Sequence, residues 1–174
     1  MCKLNIGRRV LKNRHSYLLS VLVVLFLGFQ SAHAGMELQK LSGERVDLDD
    51  YRGTGKWLLV MIWATDCHIC HQQKPLISDF HDKHQNKDAE VLGIALDGPQ
   101  RIDEVKQYLE TTKVTFPTLV GDLLFVSSHY LELTEESLRG TPTYLLFSPD
   151  GELLGNNPGP LRISALEDFI ARHP

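Results

Sequence analysis

The stretch WATDCHICH, residues 63–71, decides the fold, because its two cysteines can be read in two ways. Taken from Cys67 it spells C-x-x-C-H, the string that attaches a c-type haem, with two thiols for the vinyl groups and His71 for the iron. Taken with its surroundings, it sets a dithiol at the junction of a strand and a helix. Residues 56–63, KWLLVMIW, are a continuous apolar run rich in β-formers, suited to a central strand buried on both faces. Residues 67–85 place apolar Ile69, Leu76, Ile77 and Phe80 at helical spacing, with Pro75 inside as an expected kink. In that setting His71 is one exposed histidine on a helix. A haem would also need a sixth ligand, and Met61 lies inside the predicted strand.

The pattern continues outward. Residues 89–96, AEVLGIAL, read as a second buried strand, and residues 99–112 as an amphipathic helix facing inward with Ile102, Val105, Tyr108 and Leu109. Residues 116–122 are extended and residues 124–132 a short helix. Residues 142–155 form a hairpin that turns at residues 148–151, SPDG. Residues 163–173 close the chain as an amphipathic helix with Ile163, Leu166, Phe169 and Ile170 inward. His81 and His84 fall on the polar part of the first helix, and His129 and His173 near helix ends. Residues 35–56 are a lead-in of brief alternating segments ending in turn residues Gly53, Thr54 and Gly55. Strand, helix, strand crossovers that end in an antiparallel hairpin define an α/β fold, a mixed central β-sheet with helices on both faces. A cytochrome c is essentially all helix, so this order argues against haem.

The chain has 174 residues, room for one core, and its apolar and charged fractions of 43% and 23% are ordinary for a globular protein. Its charge is uneven. Lys3, Arg8, Arg9, Lys12 and Arg14 precede any acid, and an apolar run of 13 residues, 17–29, follows. Ala32 and Ala34 then match a small-residue cleavage site, so residues 1–34 are expected to be a signal peptide and residues 35–174 the folded domain. The run is short for a membrane span of about 20 residues. The export implied is periplasmic, with an uncleaved N-terminal anchor as the alternative. Removing residues 1–34 leaves 13 Lys+Arg against 22 Asp+Glu, a net charge of −9. Such an acidic body offers no nucleic-acid footprint and no basic stripe for anionic lipid. It keeps two cysteines, Cys67 and Cys70. The loop they close is too small to make a useful structural staple, so a reactive pair is expected.

The chemistry follows from placement. Cys67 at the first turn of a helix faces free backbone N–H groups and the positive end of the helix dipole, which favour thiolate. Cys70, one turn on, is expected to be buried and to resolve the mixed disulfide that Cys67 forms. His68 can supply partial positive charge beside Cys67, or be an exposed spacer; Asp66 opposes it.

The region from about Gln39 to Ala171 resembles the TlpA/ResA-like branch of the thioredoxin superfamily. The resemblance is carried by VDLDDYRGTGKWLLVMIWATDC, by Pro75 eight residues after Cys67, by LRGTPTYLLFSPDGEL, and by DGPQRIDEVKQYLETTKVTFPTLVGD, which is similar to the branch's inserted helix and strand. It implies a thioredoxin-like fold with that insertion between the second strand and a cis-Pro hairpin. It implies exported thiol–disulfide exchange with substrate proteins, with the chain as reductant, fed by a membrane-embedded thiol reductant. It also implies that the Thr141–Pro142 bond is cis and that the Thr141 backbone pairs with substrate. Trp63 is grouped with Thr141 and Pro142 as substrate-binding, and Asp66, Ile69 and Gln73 as residues that tune the redox poise. No cofactor beyond a reversible Cys67–Cys70 disulfide is expected, no metal, and a monomer. The sequence departs from the pattern at Asp66, where an aromatic or small residue is common, in the His68–Ile69 dipeptide, and at two proton acceptors. Met61 stands where a thioredoxin carries a buried acid, and Gln73 where ResA-type proteins carry a glutamate. The proton acceptor for Cys70 is then water, His71 or Asp97. An oxidant or isomerase role and a copper-handling role are the alternatives. A peroxidase would need threonine where Ala64 stands.

Overall fold

The computed structural model describes residues 35–173. The expected signal peptide, residues 1–34, lies outside the described residues. The sheet is organised around β3 (Trp57–Trp63), all seven of whose residues are buried. Parallel β4 (Ala89–Ala95) runs along one side and antiparallel β6 (Thr143–Phe147) along the other, so that Met61 lies between Gly93 and Tyr144. β1 (Glu37–Lys40), β2 (Arg45–Asp47), β5 (Thr118–Val120) and β7 (Leu153–Pro158) complete a mixed sheet of order β2-β1-β5-β4-β3-β6-β7. The fold is thioredoxin-like.

Successive strand residues point to opposite faces, and β3 shows why its apolar run is unbroken. Trp57, Leu59, Met61 and Trp63 enter a core with α1 (His68–His84), α2 (Ile102–Thr112) and α4 (Ile163–Arg172), through Ile77, Phe80, Val105 and Ile170. Leu58, Val60 and Ile62 enter a second core with α3 (Leu123–Thr134), through Val126 and Tyr130. Helices therefore cover both faces. The insertion expected between the second strand and the hairpin is α2 and β5. Among the described residues, no helix is long and apolar enough to cross a membrane.

Four local expectations are corrected. The lead-in supplies two paired strands, β1 and β2, which its short alternation concealed. The helix expected over residues 124–132 extends to twelve residues, because Asp122 caps its start by accepting from Leu124 N–H and Phe125 N–H. On α1, Ile69 and Leu76 are 44% and 49% exposed, whereas Gln73, Lys74 and His81 are buried. His81 is held inside because its Nδ1 accepts from Val91 N–H at 3.2 Å, which ties the helix to β4; burial lowers its pKa. His129, also buried, packs on Phe125 in mid-helix.

Gly93 sets the spacing behind the cysteine loop. A Cβ there would lie 2.8 Å from Thr118 Oγ1 and 3.0 Å from the indole nitrogen of Trp63. Gly93→Ala is therefore expected to destabilise the fold by about 1–3 kcal/mol, read as a lower urea midpoint at unchanged slope.

Candidate active site

β3 ends at Trp63 and α1 begins at His68, leaving four residues to turn the chain. Cys67 is the N-cap of α1, in extended backbone conformation (φ −81°, ψ 102°), and its sulfur accepts from Cys70 N–H at 3.1 Å. One of the free donors of the helix start is thus aimed at the sulfur. Cys67 and Cys70 are joined in a disulfide. Cys70 is fully buried and Cys67 half-buried, the asymmetry expected of an attacking and a resolving thiol.

The turn before Cys67 is fastened from β4 and α1. Asp97, just past the end of β4, accepts from Thr65 N–H at 3.1 Å and from the Thr65 hydroxyl. Arg101 stands 3.6 Å from the same carboxylate. His71 is exposed, yet its Nε2–H donates to Thr65 O at 2.9 Å and its ring lies on that of Tyr108. Asp66 and His68 are exposed beside Cys67, and Gln72 reaches His68 at 3.2 Å. Ile69 is exposed between the cysteines.

The Thr141–Pro142 loop lies at the same end of the sheet. The β3–β6 register pairs Ile62 with Thr143, so one step further along sets Pro142 beside Trp63. The Thr141–Pro142 peptide is cis. Gly159 N–H donates to Pro142 O at 2.8 Å, and Thr143 Oγ1 donates to Gly140 O at 2.7 Å. Among the described residues, the N–H and C=O of Thr141 are taken by none. A shallow groove lined by Arg139, Thr141, Pro142 and Pro158 runs beside them.

Two expected site residues have other work. Trp63 has no exposed surface and is closed to any substrate; its indole is the floor behind the loop. Gln73 is committed to the scaffold. Its Oε1 accepts from Leu161 N–H at 2.8 Å and from Tyr144 O–H at 3.1 Å, joining α1, β6 and the approach to α4.

The residue that the apolar pattern missed is Lys74. It is 2% exposed, and its Nζ has no hydrogen-bond partner among the described residues. The ammonium position lies over the ring of Trp63, 2.9 Å from its centre, and 3.9 Å from that of Tyr108. Burial lowers its pKa to about 6 against the weaker upward pull of Asp97. Its signal in the sequence is spacing. Cys70, Ile77 and Phe80 define an inward stripe, and 73 and 74 complete it at i+3 and i+4.

A disulfide-bonded C-x-x-C at the strand–helix junction of this fold defines a thiol:disulfide oxidoreductase of the thioredoxin superfamily. Residues 30–154 match the AhpC/TSA family, and the chain belongs to that family. Over 178 residues it is 24% identical to the thiol-disulfide oxidoreductase ResA of Bacillus cereus, covering 92% of this chain and 97% of that one. The ResA of Oceanobacillus iheyensis is 26% identical over 138 residues, covering 77% and 67%. Among solved structures, a thiol:disulfide interchange protein from Chlorobium tepidum superposes with a TM-score of 0.64 at 18% identity, covering 78% of this chain and 90% of that one. StoA from Bacillus subtilis superposes at 0.58 and 19% identity, covering 76% and 93%. The chain is ResA-like within the superfamily.

Asp97→Ala would leave Thr65 N–H and its hydroxyl without their acceptor. The expected cost is about 1–3 kcal/mol, measured by urea unfolding of the oxidised protein.

Proposed function

We propose that the protein is an exported reductant of protein disulfides, in which Cys67 is the nucleophile and Cys70 the resolving thiol. The observation that carries the assignment of roles is the N-cap geometry, with a helix N–H on Cys67 Sγ and Cys70 out of solvent. A thiolate at Cys67 attacks the substrate disulfide. One substrate sulfur leaves with the electron pair and the other joins Cys67. Cys70 then attacks Cys67 Sγ, releasing the second substrate sulfur and closing the disulfide. An extended substrate segment pairs with the free Thr141 backbone as an added strand, with Pro142 beneath it. No group beyond the two cysteines takes part in the electron transfer.

The direction rests on charge. Asp66 adjoins Cys67, and Asp97 is fixed to the turn two residues before it. Negative charge there disfavours thiolate, which favours the disulfide and makes the dithiol the better reductant. His68 works the other way from an exposed position, where one charge counts for little. An oxidant or isomerase would show the opposite balance. Residues 1–34 support the export reading, with the domain in the periplasm; in this reading it works as a monomer and a membrane-embedded thiol reductant recharges it.

Cys70→Ala is expected to accumulate substrates on Cys67 as mixed disulfides on thiol-trapping gels. Cys67→Ala is expected to trap none and to lose insulin reduction. An equilibrium with glutathione that favours the reduced protein at pH 7 would overturn the direction. Absence of both trapping and insulin reduction would overturn the function.

A further inference from the structure

The geometry points to Lys74 as the proton partner of the Cys67–Cys70 pair, an uncharged amine beside the disulfide and an ammonium beside the reduced site. This rests on the assignment of Cys67 and Cys70 just given.

Three observations place it there. Cys70 and Lys74 are four residues apart on one face of α1, about 6 Å along the axis. Both are closed to solvent. A long side chain on a helix leans back toward its N-terminus, which carries the amine from residue 74 toward the cysteine turn. There it meets Trp63, the last residue of β3 before that turn. A buried lysine with no carboxylate bound to it would ordinarily be a fault in a core. Here two aromatic faces can hold the charged form, while the lack of solvent favours the neutral one. The site therefore tolerates both states, and a charge appearing four residues away decides between them.

The groups around the amine are few. From β4 comes Asp97, already bound to Thr65 and faced by Arg101. From α2 comes Tyr108, whose own pKa is raised by burial, so that it stays neutral. On α1 itself, Cys70 and His71 stand four and three residues before it, the latter bound to Thr65 O. β3 offers only Trp63. Asp97 draws Lys74 upward at long range but makes no hydrogen bond to it. The sulfur that changes charge in the reaction is the one partner that switches.

The step balances. In the reduced site Lys74 ammonium accompanies the Cys67 thiolate. Cys67 attacks the substrate disulfide, and the first substrate sulfur leaves with the electron pair and takes the Lys74 proton. In the mixed disulfide, the Cys70 thiol gives its proton to the now neutral Lys74, and its thiolate attacks Cys67 Sγ. The bond from Cys67 to the substrate sulfur breaks, and the electron pair leaves on that sulfur. Lys74 ammonium then releases its proton to the departing thiolate or to water. The substrate is reduced and the Cys67–Cys70 pair oxidised.

The pH dependence is bounded on both sides. The lysine pKa is higher in the reduced protein than in the oxidised one. Below pH about 6 the oxidised amine is charged as well, so its advantage to the reduced state fades there. It fades again at high pH, where a thiol ionises without the amine. Between these limits the amine carries a proton that the thiol gives up, so two electrons still travel with two protons.

The test compares wild type with Lys74→Met, a chain of similar length without the amine. Equilibrium constants against glutathione are measured from pH 5 to 9. Wild type is expected to be the more oxidising at intermediate pH, and the ratio of the two constants is expected to fall toward unity at pH 5 and again at pH 9. A ratio independent of pH overturns the proposal while leaving the Cys67–Cys70 assignment intact. Loss of insulin reduction in wild type would overturn that assignment instead. Thermal unfolding controls for structure: removing an unpaired buried amine is expected to stabilise the oxidised protein, most of all below pH 6. Should the variant not fold, the NMR titration of the Lys74 side chain in wild type decides. An amine titration that rises on reduction supports the proposal, and one that stays fixed overturns it.

Discussion

The hydrogen bond from Cys70 N–H to Cys67 Sγ is the contact on which the site depends. It makes a reactive sulfur the cap of a helix, so the group that does chemistry also terminates the secondary structure that presents it. An oxygen-bearing cap such as serine or aspartate would satisfy the same donor more strongly. The chain accepts a weaker cap and keeps a thiol at the point where a helix dipole favours its charged form. What surrounds that contact compensates. β3 fixes where the turn starts, Asp97 and His71 tie Thr65 from two sides, and buried Cys70 anchors the helix start in the core.

Much of this was legible in the residues. The unbroken apolar run of β3 announced a strand covered on both faces, and the alternation of Leu58, Val60 and Ile62 against Trp57, Leu59, Met61 and Trp63 shows why both layers needed it. The hairpin turn and the two amphipathic helices were equally plain. The lead-in was not, because strands of four and three residues are shorter than the window in which alternation can be distinguished from chance.

The site was read less completely, and α1 shows why. Counting apolar residues put Ile69 and Leu76 inside; the packed helix turns them out and buries Gln73, Lys74 and His81 instead. Each buried polar group has a particular arrangement that composition cannot register. Gln73 accepts two hydrogen bonds across the core. His81 accepts one from β4. Lys74 rests on aromatic rings. A stripe at i, i+3, i+4 and i+7 is a statement about position, and only by convention one about polarity. Trp63 is the converse case: its place next to the cysteines suggested contact with substrate, but the last residue of a central strand belongs to the core.

The indole of Trp63 carries a consequence of its own. A tryptophan's lowest electronic transitions shift charge across its two rings, so a positive charge near the ring face changes their energy. Lys74 Nζ lies 2.9 Å from the centre of that ring, and both side chains are closed to bulk solvent. The protonation state of one amine is thus written into the near-ultraviolet spectrum of the protein. The core carries its own optical indicator, readable without any label.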